Sequence, residues 1–313
     1  MSELVNLPVI DFTPFLAGDE VGQQQVAEAI YQACHEVGFM YLTNHGVEPK
    51  AIACAFEQSC AFFALSAAAK QDLAWSDAVS NRGYVGLERE RLDQAQPGDL
   101  KEAFNVGKEA AGAESLALAL NRWPSELPMF KETLYSFFED CAAAATQIFR
   151  AFAIALSLPE SYLVEQHQAQ EFTLRLLHYP ALRALPRPGQ IRAGAHSDYG
   201  TLTLLFQEQV GGLEVQSASG EWLAAPAIAD AILVNTGDLM QRWSNDVFRS
   251  TRHRVALPQG EAAQRDRYSI AFFCQPDAKA EIACLPSCCS DTPPRYEPIT
   301  SGTYLLSRLQ ATY

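Results

Sequence analysis

Apolar residues change their spacing near the middle of this chain, and the change predicts two kinds of structure. Within residues 23–36, Val26, Ile30 and Cys34 recur at near-helical intervals, which predicts an amphipathic helix. Further helices are expected over residues 49–73 and 127–157, the second stopped near Pro159. Residues 7–12 and 38–42 read as short strands inside this mostly helical half, and residues 83–107 as turn-rich and charged. From Phe172 the pattern becomes short alternating segments divided by Pro, Gly and Asn, at 172–179, 201–206, 212–216, 231–235, 253–257 and 267–275. Alternation with period two puts successive side chains on opposite faces, so these segments predict an antiparallel sandwich or barrel. A last helix, about residues 301–310, is expected to pack back onto the body. No repeat, low-complexity tract or linker interrupts the pattern. The expected organisation is one structural unit, with a helical region over 1–165, a β core over 166–280 and a C-terminal extension with its helix over 281–313.

Composition narrows the partners. With 313 residues, 48% of them hydrophobic, the chain can build a substantial core. A formal net charge of −14 argues against a nucleic acid or an anionic membrane, which bind through clustered Lys and Arg. A small-molecule substrate fits better. The stretch Met1-Ser2-Glu3-Leu4-Val5-Asn6 has no basic region, and no uncharged apolar run of roughly 18 residues follows. The protein is therefore expected in the cytoplasm, as a monomer or weak homo-oligomer. Its 8 cysteines include no Cys-x-x-Cys pair and read as buried thiols of a reducing compartment. Cys284, Cys288 and Cys289 lack a fourth ligand at zinc-finger spacing.

His196, Ser197 and Asp198 carry the first chemical signal. A His and an Asp two apart on extended backbone face the same way, so both reach one metal if a second histidine folds in. His253 is the candidate. Two neutral imidazoles and one carboxylate on one face of an octahedral ion leave three adjacent positions open, the arrangement of non-haem Fe(II) oxygenases. A lone His-x-Asp is weak evidence, because a hydrogen-bonded strand histidine and a turn aspartate before Tyr199-Gly200 would explain it. Context adds weight: strand-like segments follow Asp198 and begin at His253 and Arg267. Arg267 and Ser269, again two apart, offer a charged fork and a hydroxyl suited to a carboxylate beside the metal.

At this point the chain resembles the isopenicillin N synthase-like branch of the Fe(II)/2-oxoglutarate-dependent oxygenases. The likeness runs through Val9-Ile10-Asp11, Gly38-Phe39, Asn44-His45-Gly46-Val47, the His/Asp/His set, Arg267-Tyr268-Ser269 and residues 299–305. It implies a distorted jelly roll, a cupin-like double-stranded β-helix, with iron at its mouth and a helical N-terminal region bracing one side. It also implies Fe(II), 2-oxoglutarate and O2 as cofactor and cosubstrates, with ascorbate as a stimulant. The expected reaction is hydroxylation of a small organic substrate with release of succinate and CO2, desaturation or ring closure being variants.

In that family the Arg-x-Ser pair and a Tyr before a Pro hold the far carboxylate of 2-oxoglutarate, which assigns those roles to Arg267, Ser269 and Tyr179. Strand alternation then turns Arg175 and Leu177 toward the same cavity, as substrate-pocket candidates, and puts Phe273 on the face shared by Arg267, Ser269 and Ala271, where it lines the substrate pocket or belongs to the ordinary core. Leu177 stands where many relatives have Asn. Arg175 either replaces that contact by binding a carboxylate or pairs with a structural acid. Asn235, Gly237 and Asp238 match a family stretch expected to form a turn and support the site. His45 reads as structural, His178 as facing away from Tyr179, and His35 and His167 have no motif support.

Two competitors remain open on sequence. Oxidases of the same architecture, such as isopenicillin N synthase and the aminocyclopropane carboxylate oxidases, use the Arg-x-Ser pair for other carboxylates, and ethylene-forming relatives share Asp198-Tyr199-Gly200. The other is a catalytically silent metal-binding jelly roll, for which an intact ligand set and carboxylate fork would be superfluous. Residues 82–107, with Arg82, Tyr84, Glu88 and Glu90, read as a solvated charged loop or a lid.

Overall fold

The computed structural model describes residues 7–75, 80–93, 95–109, 121–290 and 292–312, so the first six residues lie outside it. Strand β1 (Val9–Asp11) leads through the single turn α1 (Thr13–Leu16) into α2 (Glu20–Glu36). The Asp19 carboxylate caps α2 by accepting from the backbone N–H groups of Val21 and Gly22. Gly38 ends it at φ +77°, and β2 (Phe39–Thr43) follows. The helix expected over 49–73 is two helices, α3 (Pro49–Phe63) and α4 (Ala67–Gln71). The chain leaves the helix after Phe63, and Ser66 restarts it by accepting from the Ala69 N–H.

The segment expected as a charged loop instead holds β3 (Gly83–Val85) and β4 (Glu102–Gly107), all buried. Its charge misled because Glu102 is buried with partners supplied from elsewhere: Lys70, His178 and Tyr84 all bond its carboxylate. Next come the long helix α5 (Phe130–Ala155) and the turn α6 (Tyr162–Glu165). The later half supplies β5 (Thr173–Tyr179), β6 (Ala193–His196), β7 (Leu202–Gln207), β8 (Leu213–Gln216), β9 (Trp222–Ala224) and β10 (Ala231–Thr236). After α7 (Asp238–Trp243) come β11 (His253–Val255), β12 (Arg267–Cys274), β13 (Glu281–Ile282), β14 (Ile299–Thr300) and α8 (Ser301–Thr312).

Eight strands form one sheet in the order β1-β2-β10-β7-β12-β5-β4-β3, and four form a second, β6-β11-β8-β9. Apart from the parallel pair β1 and β2, the pairs within both sheets are antiparallel. Period-two alternation sorts the large sheet into two faces. Leu174, Leu176, Leu204, Phe206, Ile270 and Phe272 meet the helices, where Phe138 packs edge-on against Phe272 and Phe137 against Phe206. Leu177, Tyr179, Leu233, Ala271 and Phe39 point the other way, toward Ala193, Leu213, Val215 and Val255 of the small sheet. The result is a distorted jelly roll backed by helices, with a cavity between its sheets.

None of the 8 cysteines forms a disulfide. Cys34, Cys141 and Cys274 are buried, while the other five are only partly covered. Among the described residues, no helix is long and apolar enough to cross a membrane.

Candidate metal centre and its cavity

His196 and His253 stand directly opposite each other in the antiparallel pair β6 and β11, which sets their ring centroids 4.3 Å apart. Asp198 follows β6 and turns back toward them. Ligand atoms of His196, Asp198 and His253 all lie within 4.8 Å of one another, the sole group of its kind among the described residues. The Asp198 Oδ1 is 3.6 Å from His253 Nε2 and 3.9 Å from His196 Nε2.

The atoms not facing this point are occupied. His196 Nδ1 lies 2.7 Å from the Gly194 carbonyl and His253 Nδ1 3.1 Å from that of Thr251. A carbonyl only accepts, so each Nδ1 carries the proton and each Nε2 offers its lone pair. The Asp198 Oδ2 accepts from the Thr203 hydroxyl at 2.6 Å and the Asn235 amide at 2.7 Å, which leaves Oδ1 for a metal. Burial and the neighbouring His253 push the His196 pKa down to about 3, so the ring is neutral, as a ligand must be. Burial would raise the Asp198 carboxyl, but the two histidines and the two hydrogen bonds outweigh it and hold the group below its usual range. Phe39 packs edge-on against His253 at 5.3 Å. The donor set therefore fits a divalent iron, which these three cavity-lining side chains would hold.

All six other site residues expected from sequence line this cavity: Arg267, Ser269, Tyr179, Arg175, Leu177 and Phe273. Tyr179 and Arg267 are register partners of β5 and β12, and the guanidinium lies 4.8 Å over the Tyr179 ring. Arg267 Nη1 donates to Ser269 Oγ at 3.3 Å, Nη2 to Gln207 Oε1 at 2.9 Å and Nε to the Gly211 carbonyl at 2.9 Å.

Arg175 is engaged by an acid, Glu90, whose carboxylate lies 2.6 Å from Nη2. Glu90 also meets Lys101 at 3.0 Å, and Lys101 meets Asp99 at 2.9 Å. At 4% exposure Glu90 is no part of a solvated loop. Burial alone would raise its pKa, yet Arg175 and Lys101 draw it down to about 2. Gln94, in the same segment, lies outside the described residues.

Sequence reasoning missed Asn81, Lys101, Leu309 and Thr312, which line the cavity without belonging to any motif. Tyr199 was visible only as part of a tripeptide. Its ring also lines the cavity, and its hydroxyl lies 2.6 Å from that of Thr312, which ties α8 to the cavity wall. His35, His45, His167 and His178 are elsewhere. His178 bonds Glu102 on the helix side of the sheet, as alternation requires.

A jelly roll with this ligand set defines a non-haem iron oxygenase. Comparison with known proteins makes the class specific. Residues 7–126 match the family described as non-haem dioxygenase in morphine synthesis N-terminal, and residues 165–276 match the 2OG-Fe(II) oxygenase superfamily. The proline hydroxylase buaE of Petromyces alliaceus is 35% identical over 97% of this chain and 98% of its own. Validamycin A dioxygenase of Streptomyces hygroscopicus subsp. limoneus is 33% identical over 90% of this chain and 80% of its own. Among solved structures, a full-length Neurospora crassa protein in complex with alpha-KG and thymine superposes with a TM-score of 0.90 at 38% identity, covering 100% of this chain and 99% of that one. The chain belongs to the 2OG-Fe(II) oxygenase superfamily. It is an Fe(II)- and 2-oxoglutarate-dependent dioxygenase that acts with O2 on a small molecule, releasing succinate and CO2.

Proposed function

We propose that this dioxygenase hydroxylates a flat, carbonyl-bearing heterocycle of the pyrimidine class. His196, Asp198 and His253 hold the iron through Nε2, Oδ1 and Nε2. Arg267, Ser269 and Tyr179 hold the far carboxylate of 2-oxoglutarate through charge-assisted hydrogen bonds. The apolar wall of Leu177, Leu213, Val255 and Ala271 excludes water from the bound acid. The iron, with 2-oxoglutarate and O2, would supply oxidation of a C–H bond; the protein supplies aim.

The observation that carries the substrate class is the other end of the cavity. Tyr199 and Phe273 contribute aromatic walls there, beside Arg175 and Asn81. The Asn81 oxygen already accepts from Trp75 Nε1 at 3.1 Å and Asn105 Nδ2 at 2.9 Å, so its amino group is the part left to donate. The Asn81 amino donor, in a cavity also lined by these two rings, suits a planar ligand with carbonyl oxygens. The thymine bound by the Neurospora relative supports this reading. The acidic composition supports a chain that needs no nucleic-acid or anionic-membrane partner; we read it as a single structural unit that works in the cytoplasm as a monomer or weak homo-oligomer.

The test is substrate-stimulated succinate release, with thymine, uracil, free proline and small acids offered in parallel and products weighed for one added oxygen. Thymine or uracil is expected to raise succinate release and gain oxygen. Stimulation by proline alone would replace the substrate class, as the buaE likeness would then suggest.

A further inference from the structure

Arg192 is fully buried, at 0% exposure, and takes no part in the site described so far. It lies four residues before His196, near the start of β6. Its Nη2 donates to the carbonyls of Arg265 at 3.0 Å and Pro180 at 3.4 Å. Pro180 follows Tyr179 and Arg265 precedes Arg267 by two, and Tyr179 and Arg267 are register partners. The guanidinium of Arg192 thus spans the strand ends that present both clamp residues.

The rest of its hydrogen-bonding capacity is unspent. Neither Nε nor Nη1 of Arg192 has a partner among the described residues. Each nitrogen of Arg267 is bonded, but only to neutral groups: the Gly211 carbonyl, the Gln207 amide oxygen and the Ser269 hydroxyl, with the Tyr179 side chain also bonding the guanidinium. Among the described residues, no carboxylate comes within 4.0 Å of either guanidinium, and Glu208 and Asp266 act on them only from farther away. Burial, and then the like charge of Arg267, pull the Arg192 pKa below its ordinary value. Two buried cations, Arg267 in the cavity wall and Arg192 behind it, therefore stand together with no anion among the described residues within 4.0 Å. Such a pair is expensive unless a ligand brings negative charge to it.

We propose that Arg192 is a positioning residue of the cosubstrate clamp, whose buried charge behind Tyr179 and Arg267 makes the site select a 2-oxo dicarboxylic acid over a 2-oxo monocarboxylic acid. This rests on the reading of Arg267, Ser269 and Tyr179 as the clamp. Arg192 does not line the cavity, so it acts through electrostatics and through the strand ends it fixes. A lysine at 192 would keep the charge and lose the fork.

The experiment compares 2-oxoglutarate with 2-oxovalerate, which has the same chain length and the same metal-chelating end but a methyl group in place of the far carboxylate. Binding to the Fe(II)-loaded protein is followed without oxygen through the visible charge-transfer band, in wild type, Arg192→Met and Arg192→Lys. The wild type is expected to prefer 2-oxoglutarate strongly. In Arg192→Met that preference falls at least tenfold, because affinity for 2-oxoglutarate drops while that for 2-oxovalerate holds; Arg192→Lys retains most of it. If both acids weaken equally in Arg192→Met, the residue merely supports the fold and the proposal is wrong. An unchanged preference overturns it as well. A wild type that binds both acids alike would instead overturn the clamp itself, and Arg192's role with it. Because the comparison is made within each protein, partial loss of folded material does not blur the result.

Discussion

At the scale of single residues, the metal centre depends on which atom of each side chain is left over. Asp198 has two oxygens, and Thr203 and Asn235 occupy one of them. Replacing Asn235 with Leu removes one of the two bonds that fix the carboxylate, without touching a ligand. Iron affinity is expected to fall about 10–100-fold, measured by Fe(II) titration under anaerobic conditions; an unchanged affinity would show that Thr203 alone orients Asp198. The ligands were legible in the sequence because a His-x-Asp pair on extended backbone must share a direction. Their supports were only partly so. Asn235 belonged to a recognisable stretch, but its bond crosses from β10, and Thr203 had no signal at all. Arg175 divides the same way: alternation fixed its face, while its partner Glu90 comes from a segment 85 positions earlier.

At the scale of elements, the site is only as well placed as the turns that deliver its strands. Gly38 closes α2 and launches β2, whose first residue packs on His253. It adopts φ +77°, and a Cβ there would meet the Arg249 carbonyl at 2.2 Å. Gly38→Ala should therefore destabilise by at least about 1–2 kcal/mol from the backbone conformation alone, with the overlap adding to it. Urea denaturation checks this, and a variant as stable as wild type would mean the turn relaxes freely. Local rules served well for α5 and for β5, β7, β8, β10, β11 and β12, where the apolar period is long or regular, and passed over the short β6, β9, β13 and β14. They failed for β3 and β4. Glu102 looks like a loop residue until Lys70, His178 and Tyr84 are brought to it, and nothing local announces that.

At the scale of the whole molecule, buried ionisable groups make the fold acid-sensitive in two steps. His167 is stacked on Phe149 at 4.0 Å, bonded to the Leu163 carbonyl and the Thr201 hydroxyl, and burial drives its pKa down from 6.5 to about 4. The unfolded chain protonates this histidine near pH 6.5 and the folded one does not, so stability falls as pH drops from 6.5 toward 4, by about 3 kcal/mol at most. Glu90 works on the carboxylate side: its pKa of about 2 lies below the ordinary 4.5, so its contribution is present above pH 4.5 and is lost as pH falls toward 2. Urea midpoints at pH 7, 5.5 and 4 should decline in wild type and decline less in His167→Gln. An equal decline in both would reject the assignment. By itself the sequence picked out His196, Asp198 and His253 as a set that could share a metal and put Arg267 and Ser269 on one strand face, because these follow from side-chain chemistry and a two-residue period. Only the tertiary structure decided that Glu90 holds Arg175, that Asn81 and Thr312 reach the cavity, and that Arg192 ties the strand ends beside Tyr179 and Arg267. Those contacts join segments far apart in the chain, and no local period encodes which distant charge a folded chain will bring to a buried one.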